Sequence, residues 1–182
     1  MGNANNVERF RRGLADQQCL IQVPVASATI IAKGDFVLLF DGKAIQPSDL
    51  GDLYNTNLAA RQESSRMFLG MAMDESESGE ELDIRVDISL NSIWNLTLCT
   101  AAAHSIADLF GICAYSTAAN SWALYDQKIE PDCSYPIMQC VKEKAAAGTD
   151  ILCKMVQNLM NNRQPSWAAD TCHTDSDLSF EG

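Results

Sequence analysis

Few residues of this chain could carry out nucleophilic or acid–base chemistry. Its histidines are His104 and His173, and Cys99 precedes the first by five positions. A thiol beside an imidazole can form a nucleophile and a general base, but the base must be within hydrogen-bond reach and needs a third group that orients it. The spacing of Cys99 and His104 indicates neither the hydrogen bond nor the orienting group. The other pair, Cys172 and His173, falls in a tail-like segment. No G-x-S-x-G, H-E-x-x-H or glycine-rich phosphate motif occurs. We predict no catalytic residue and no enzymatic activity.

Metal or cofactor binding is not indicated either. The acidic stretch 74–81, DESESGEE, offers carboxylates that Ca²⁺ prefers, but it lacks the D-x-[DN]-x-[DN]-G spacing of a calcium loop, so a solvated loop is the default. The seven cysteines are dispersed singly, without a C-x2-C or H-x3-H pair. We therefore predict no metal ligand and no cofactor, and thiols that stay reduced as small buried hydrophobes.

The acidic stretch joins two predicted strands. Residues 67–73 are apolar on both faces, which suits an interior strand, whereas residues 82–88 alternate apolar side chains with Asp83, Arg85 and Asp87. A period of two is typical of a half-buried strand. The sequence therefore predicts a long hairpin over 67–88.

A second copy of this pattern follows. Setting Gly79 against Gly148 aligns 68–72 with 137–141 and 82–86 with 151–155, and the preceding segments 32–42 and 105–115 align Asp35 with Asp108. Few residues are identical, so two interpretations stay open: chance convergence on a hairpin pattern, or a duplicated β unit of about 70 residues.

The remaining strand patterns favour a mainly β fold, a barrel or sandwich of two similar hairpin-containing halves. Apolar or alternating segments at 20–25, 28–32, 36–40, 93–99 and 122–129 predict strands. Residues 46–66 predict a short helical insertion, which is either a partner contact or a plain surface loop, and 101–109 fits either a turn or two of helix or a loop. We expect a flexible basic arm over 1–18, a single β domain over 19–157 with pseudo-repeats at about 28–90 and 100–157, and a flexible acidic tail over 158–182.

Charge excludes some partners. The net charge is −11, and the largest basic group is formed by Arg9, Arg11 and Arg12 around Phe10. Such a field repels phosphate backbones, so free nucleic acid is not an expected partner. No apolar run reaches the roughly 20 residues that cross a bilayer, and the start lacks a signal-peptide core. We expect a non-exported protein with no membrane partner, and we predict a partner-binding arm made of Arg9, Phe10, Arg11 and Arg12.

The order of these features resembles that of the head decoration, or cement, proteins of tailed bacteriophages. The matching pieces are a short leading arm, the turn 34–37 (GDFV), the strand 68–72 (FLGMA) ahead of a polar loop, and the alternating strand 82–88. The resemblance covers about residues 19–157. The chain departs from the family pattern where Ala107 replaces a turn glycine and through the insertion 46–66.

The resemblance implies a structural role. Such a protein would be made in the host cytoplasm, bind the major capsid protein on the outside of an assembled icosahedral capsid, associate with itself as a trimer or other homo-oligomer, and stabilise the virion. The alternative is a cytosolic β-barrel module that binds a small ligand or a peptide, and an enzyme comes third.

Overall fold

A computed structural model describes residues 9–10, 19–50, 56–118 and 121–161, and in these residues the chain is mainly β with one α-helix. The first sheet contains β2 (Leu20–Pro24), β3 (Phe36–Phe40), β4 (Lys43–Ile45), β5 (Phe68–Ala72) and β6 (Asp83–Asp87). The second contains β1 (Arg9–Phe10), β7 (Ile93–His104), β8 (Leu109–Ala118), β9 (Ser121–Pro131), β10 (Met138–Cys140) and β11 (Lys144–Met155). The helical segments are α1 (Asn57–Met67) and two 3-10 helices, Pro47–Leu50 and Leu159–Asn161.

Each sheet closes on itself. The first has the order β2-β6-β5-β3-β4, and a parallel bridge between Val25 and Ala44 brings its two ends together. In the second, the order β7-β11-β10-β8-β9 is closed by parallel pairing of Thr97 and Leu98 with β9, and β1 lies outside this ring. The fold is therefore two five-stranded barrels in succession, which confirms the predicted mainly β architecture.

The two barrels have the same connectivity. In each, the first strand pairs with the fifth, the fifth with the fourth, the fourth with the second and the second with the third, and the third runs parallel to the first. The prediction of two similar halves is confirmed. The equivalent first strands begin at Leu20 and Ile93, ahead of positions 28 and 100, where the predicted repeats begin.

The residue alignment predicted between the halves is correct at Asp35 and Asp108 and wrong beyond them. The main-chain N–H of Ala72 donates to the carbonyl of Asp35 (2.9 Å), and that of Cys140 donates to the carbonyl of Asp108 (2.8 Å). Ala72 is therefore equivalent to Cys140, one position before the predicted Val141.

The error grows to two positions in the fifth strand. Val86 and Cys153 each pair with the equivalent fourth-strand residue, so Val86 corresponds to Cys153 and not to Met155. The extra position arises in the connection before this strand, because Ala72 and Val86 are 14 positions apart whereas Cys140 and Cys153 are 13 apart. Gly79 lies in that connection, whereas Gly148 lies within β11, so the two glycines that anchored the alignment are not equivalent.

The hydrophobic residues form two clusters. The first barrel is filled by Val23, Val25, Ile31, Val37, Ala44, Leu69, Ala72, Ile84 and Val86. The larger cluster joins the outer side of that barrel, through Phe36, Leu38, Phe68 and Met71, to the interior of the second barrel. Strands β3 and β5 thus contribute to both clusters, which explains why residues 67–73 are apolar on both faces.

In its described residues, the insertion predicted at 46–66 contains the first 3-10 helix and most of α1, so the helical prediction is confirmed there. Thr56 caps α1, because its Oγ1 accepts a hydrogen bond from the N–H of Ala59 (3.2 Å). The helix packs against β8 and β9 as well as β3. Although it belongs to the first barrel in sequence, the insertion therefore contacts the second.

The structure decides one segment that the sequence leaves open and contradicts the strand predicted at another. Residues 101–109 are not helical, because β7 continues through His104, which pairs with Lys144, and β8 begins at Leu109 after a four-residue turn. The segment 28–32 is not a strand, since it forms a single bridge, from Ile31 to Ser76. Ile31 is buried in the cluster that fills the first barrel, whereas Ile30 is exposed.

Strand β6 departs from the predicted alternation at both ends. Asp87 is fully buried, because its carboxylate accepts hydrogen bonds from the Ser89 N–H (3.0 Å) and the Ser92 hydroxyl (2.7 Å) in the connection between the barrels. Leu82, predicted to face the core, lies beyond the strand end and is exposed. Within the described ranges, no helix is long and apolar enough to span a bilayer.

Candidate interaction surface

Part of the predicted partner-binding arm lies on the second barrel. Arg9 and Phe10 form β1 and pair antiparallel with Trp94 and Ile93 of β7. These two residues of the arm are extended, because the edge of β7 offers main-chain groups for a strand to pair with. Arg11 and Arg12 lie outside the described residues.

The turn ahead of the second strand is built alike in both barrels. Gly34 (φ 90°) and Ala107 (φ 81°) occupy equivalent positive-φ positions. The aspartate that follows each one accepts a main-chain N–H with Oδ2, from Ala32 to Asp35 (2.7 Å) and from Ser105 to Asp108 (2.9 Å). Ala107, the departure from the family pattern, therefore keeps the glycine-like backbone.

Asp35 also connects the two barrels. Its side chain is buried, and it accepts hydrogen bonds from the Nε2 amides of Gln46 in the insertion (2.5 Å) and of Gln127 in β9 (2.6 Å). Burial raises the pKa of this carboxyl, and the hydrogen bonds from Ala32, Gln127 and Gln46 oppose that shift. The turn aspartate of the first barrel is thus a contact point for the second.

Two more carboxylates lie beside it. Asp126 of β9 accepts the Ser48 N–H (2.9 Å), and Asp49 accepts from the Thr29 hydroxyl (2.6 Å). Burial raises the pKa of Asp126 to about 6, and the negative charges of Asp35 and Asp49 add to the increase. In the part of the chain that the structure describes, no group of three or more His, Cys, Asp or Glu side chains is arranged to bind a metal ion. Asp35 and Asp126, whose carboxyl pKa values are raised by burial, both lie in contacts between the barrels.

Helix α1 is fixed to the second barrel by Arg61. Its guanidinium contacts Asp132 through Nη2 (2.6 Å) and Nε (3.0 Å) and Glu130 through Nη1 (3.1 Å). Asp132 is itself held by the N–H groups of Ser134 (2.8 Å) and Tyr135 (3.0 Å). The sequence analysis missed this contact, because an arginine on a helix with a mixed pattern gives no sign that it faces a carboxylate about 70 residues away.

The candidate nucleophile and base are not arranged for catalysis. Cys99 is disulfide-bonded to Cys113, so it offers no thiol. His104 lies 3.3 Å from Asp108 through Nδ1 and packs edge-on against Phe110, with ring centroids 4.9 Å apart. This histidine connects the end of β7 to the turn that follows it. Cys172 and His173 lie outside the described residues.

The prediction of uniformly reduced cysteines is wrong. Besides the Cys99–Cys113 bridge, Cys133 is disulfide-bonded, whereas Cys140 and Cys153 are buried thiols and Cys19 is an exposed one. Cys99 and Cys113 each follow a residue that pairs with Ile129 of β9. The bridge therefore ties together the two strands that flank β9, at the position where the second barrel closes.

The acidic loop 74–81 forms one end of the first barrel. Asp74 makes an ion pair with Arg85 (2.6 Å), whose hydrogen bond lowers the pKa of Asp74 to about 2. Ser76 is buried and bridges to Ile31, while the glutamates of the loop are exposed. The Gly79 N–H also donates to the Ser27 carbonyl (2.7 Å), so the loop is held at several points and presents its glutamates to solvent.

Both barrel interiors are occupied by the chain's own side chains. The second is filled by residues that include Trp94, Leu96, Phe110, Ile112, Leu124, Ile129, Ile151 and Met155, none of them more than 3% exposed. A ligand barrel needs an interior space, so such packing favours binding through outer surfaces and strand edges.

Comparison of the chain with protein-family models, with curated proteins and with solved structures found no match. The resemblance to phage head decoration proteins therefore stays a prediction that depends on the residues given above.

Proposed function

We propose that this protein is a capsid decoration protein, which binds the outer surface of an assembled tailed-phage capsid and stabilises it. The observation that carries the proposal is the pairing of Arg9 and Phe10 with the edge of β7. An arm that adds a strand to a barrel within its own chain uses the interaction by which such an arm can add a strand to a neighbouring subunit.

The contacts between the barrels support a structural role. Asp35, Asp126 and Arg61 each connect the insertion or the first barrel to β9 or to the residue just after it. A two-barrel unit held together by several buried polar contacts is suited to bridging subunits, because it resists bending between its halves. Each bound copy would stabilise the contact between the subunits that it bridges, and many copies would do so across the capsid lattice.

The proposed partners are the major capsid protein and further copies of this chain, at the exterior of a virion assembled in the host cytoplasm. The alternative remains a β-barrel module that binds a peptide or small ligand. Packed barrel interiors count against the small-ligand form, because a ligand would have to displace core side chains.

The test removes residues 2–12 and measures binding to purified capsids assembled from the major capsid protein of the same genome. Co-sedimentation is expected to fall while the melting temperature of the 19–157 domain changes little, since the described part of the arm contributes a two-residue strand pairing. The loss is expected to shrink as salt is raised, because the three arginines act through charge.

The matched control replaces Asn3, Asn5 and Asn6 by alanine, which alters the same arm without altering its charge. This variant is expected to bind as the intact chain does, whereas replacing Arg9, Arg11 and Arg12 by alanine should reproduce most of the deletion. If the truncated chain decorates capsids as fully as the intact one, the arm has no role in decoration.

A further inference from the structure

The repeated architecture places a second strand-accepting edge on the first barrel. Strand β2 is equivalent to β7, with Leu20 matching Ile93 and Ile21 matching Trp94, because the pairs Leu20–Asp87 and Ile93–Lys154 occupy the same place in the two barrels. Ile93 and Trp94 are the residues that receive β1. Among the described residues, Leu20–Gln22 pair with β6 and have no strand on the opposite side.

Main-chain groups on this edge point outward. The Cys19 carbonyl accepts a hydrogen bond from the N–H of Ile88 (2.9 Å), and the Val25 N–H donates to the carbonyl of Leu82 (3.1 Å). Both residues therefore face the β6 side. Antiparallel pairing alternates, so the odd-numbered residues face β6 and the N–H and C=O groups of Leu20 and Gln22 face away from it. Pro24, which has no N–H, occupies the next outward position.

We infer that this edge binds the arm of a second copy of the chain. The arm segment Arg9–Phe10 of one copy would pair with β2 of the next, placing Phe10 opposite Leu20 and Arg9 opposite Ile21, as Phe10 and Arg9 lie opposite Ile93 and Trp94 within one chain. The same segment would thus occupy the equivalent edge of the other barrel, now in trans.

Charge and strand length favour this occupant. The arm carries three arginines in a chain of net charge −11, so the overall charge of a second copy attracts it. On β6, the strand beside the edge, Asp83 is exposed and Arg85 is paired with Asp74. Among the described residues, the pairing within one chain involves Arg9 and Phe10, and an exchange of one arm per copy can close a ring.

The proposed pairing can be tested by a disulfide cross-link, because its register fixes which residues lie opposite each other next to Phe10. If Phe10 lies opposite Leu20, then Arg11 lies opposite Cys19, which is an exposed free thiol. Positions 11 and 19 would form a non-hydrogen-bonded pair of the antiparallel ladder. The Cα atoms of such a pair are about 4.5 Å apart, close enough for a disulfide. We would mix the variant R11C/C19S with the unmodified chain and oxidise with diamide, which takes up the two electrons and two protons released by the thiols.

The expected product is a disulfide between the thiol introduced at position 11 of one chain and Cys19 of the other, seen as a band at twice the monomer mass and mapped by mass spectrometry. The control E8C/C19S places its thiol opposite Gln22 and should give little product. In the unmodified partner, Gln22→Pro removes an outward N–H and should abolish the link, whereas Gln22→Thr keeps that N–H and should preserve it.

Equal yields from R11C and E8C, or a link that survives Gln22→Pro, would overturn the proposal. So would the absence of any product that joins position 11 to Cys19, together with a monomeric sedimentation coefficient at every concentration of the intact chain. Because no capsid is present, these outcomes are independent of the decoration proposal.

Discussion

The contact that holds α1 on the second barrel gives the sharpest energetic prediction. Replacing Arg61 by methionine keeps an apolar stem of similar length but leaves Asp132, whose side chain is 4% exposed, without its guanidinium partner. Removing one member of a buried ion pair costs about 3–5 kcal/mol. Asp132 keeps two main-chain donors and Arg61 is 20% exposed, so we expect a smaller loss, about 2–3 kcal/mol in the free energy of unfolding.

Arg66 on the same helix provides the control. It pairs with Glu63, but its side chain is 64% exposed, and exposed pairs contribute roughly 0–1 kcal/mol. Urea denaturation of both variants measures the difference in their free energies of unfolding, provided that the two curves have the same m-value. If R61M loses no more stability than R66M, the contact between α1 and the second barrel does not have the energetic role assigned to it.

Three further predictions concern the same architecture. The pKa of Asp126, raised to about 6 when folded, means that the folded state binds the proton more tightly; the resulting stability is fully present below about pH 4 and is lost as pH rises through 6. Relative to the unmodified chain, Asp126→Asn should therefore raise the free energy of unfolding more at pH 8 than at pH 4. Parallel stability–pH curves for the two proteins would contradict this. Replacing Cys99 and Cys113 together by alanine opens a loop with a sequence separation of 14 and should cost about 3 kcal/mol, measured by thermal unfolding without reductant; a loss below about 1 kcal/mol would refute the stapling role. Ala107→Gly should raise stability by about 0.5–1 kcal/mol because of its positive φ, whereas Gly34→Ala should lower it by about 1 kcal/mol or more; shifts of the same sign would show that the two turns are not equivalent.

The similarity of the two halves is predictable from the sequence because its strongest signals are local. A strand of period two, an apolar strand before it and an aspartate at the preceding turn recur in the same order, and each depends on nearest neighbours. The register of the fifth strand is not accessible, because the span from Ala72 to Val86 is 14 positions and the equivalent span from Cys140 to Cys153 is 13. An alignment that matches Gly79 with Gly148 places the gap for that length difference at the wrong position.

The contacts between barrels could not be predicted from local pattern. Asp35 was recognised as a repeated position, but its partner Gln127 lies 92 residues away in a strand whose polar residues look like a solvent-facing side. Burial of Asp87 was missed for the same reason, since alternation alone assigns it to solvent. Only the path of the connection through Ser92 makes it internal.

Disulfide pairing was missed for a different reason. Dispersed single cysteines in apolar surroundings are typical of buried thiols, and that interpretation holds for Cys140 and Cys153. Cys99 and Cys113 become neighbours only because β7 and β8 flank β9 where the barrel closes, an arrangement that requires the strand order.

The central claim, decoration of a capsid, is tested most directly by imaging capsids incubated with the purified chain and counting the copies bound. Cryo-electron microscopy with imposed icosahedral symmetry is expected to show two adjoining barrels at repeated positions on the outer surface, in hundreds of copies per particle. Capsids that retain no density beyond the major capsid protein, at protein concentrations that saturate binding of a known decoration protein, would contradict the account.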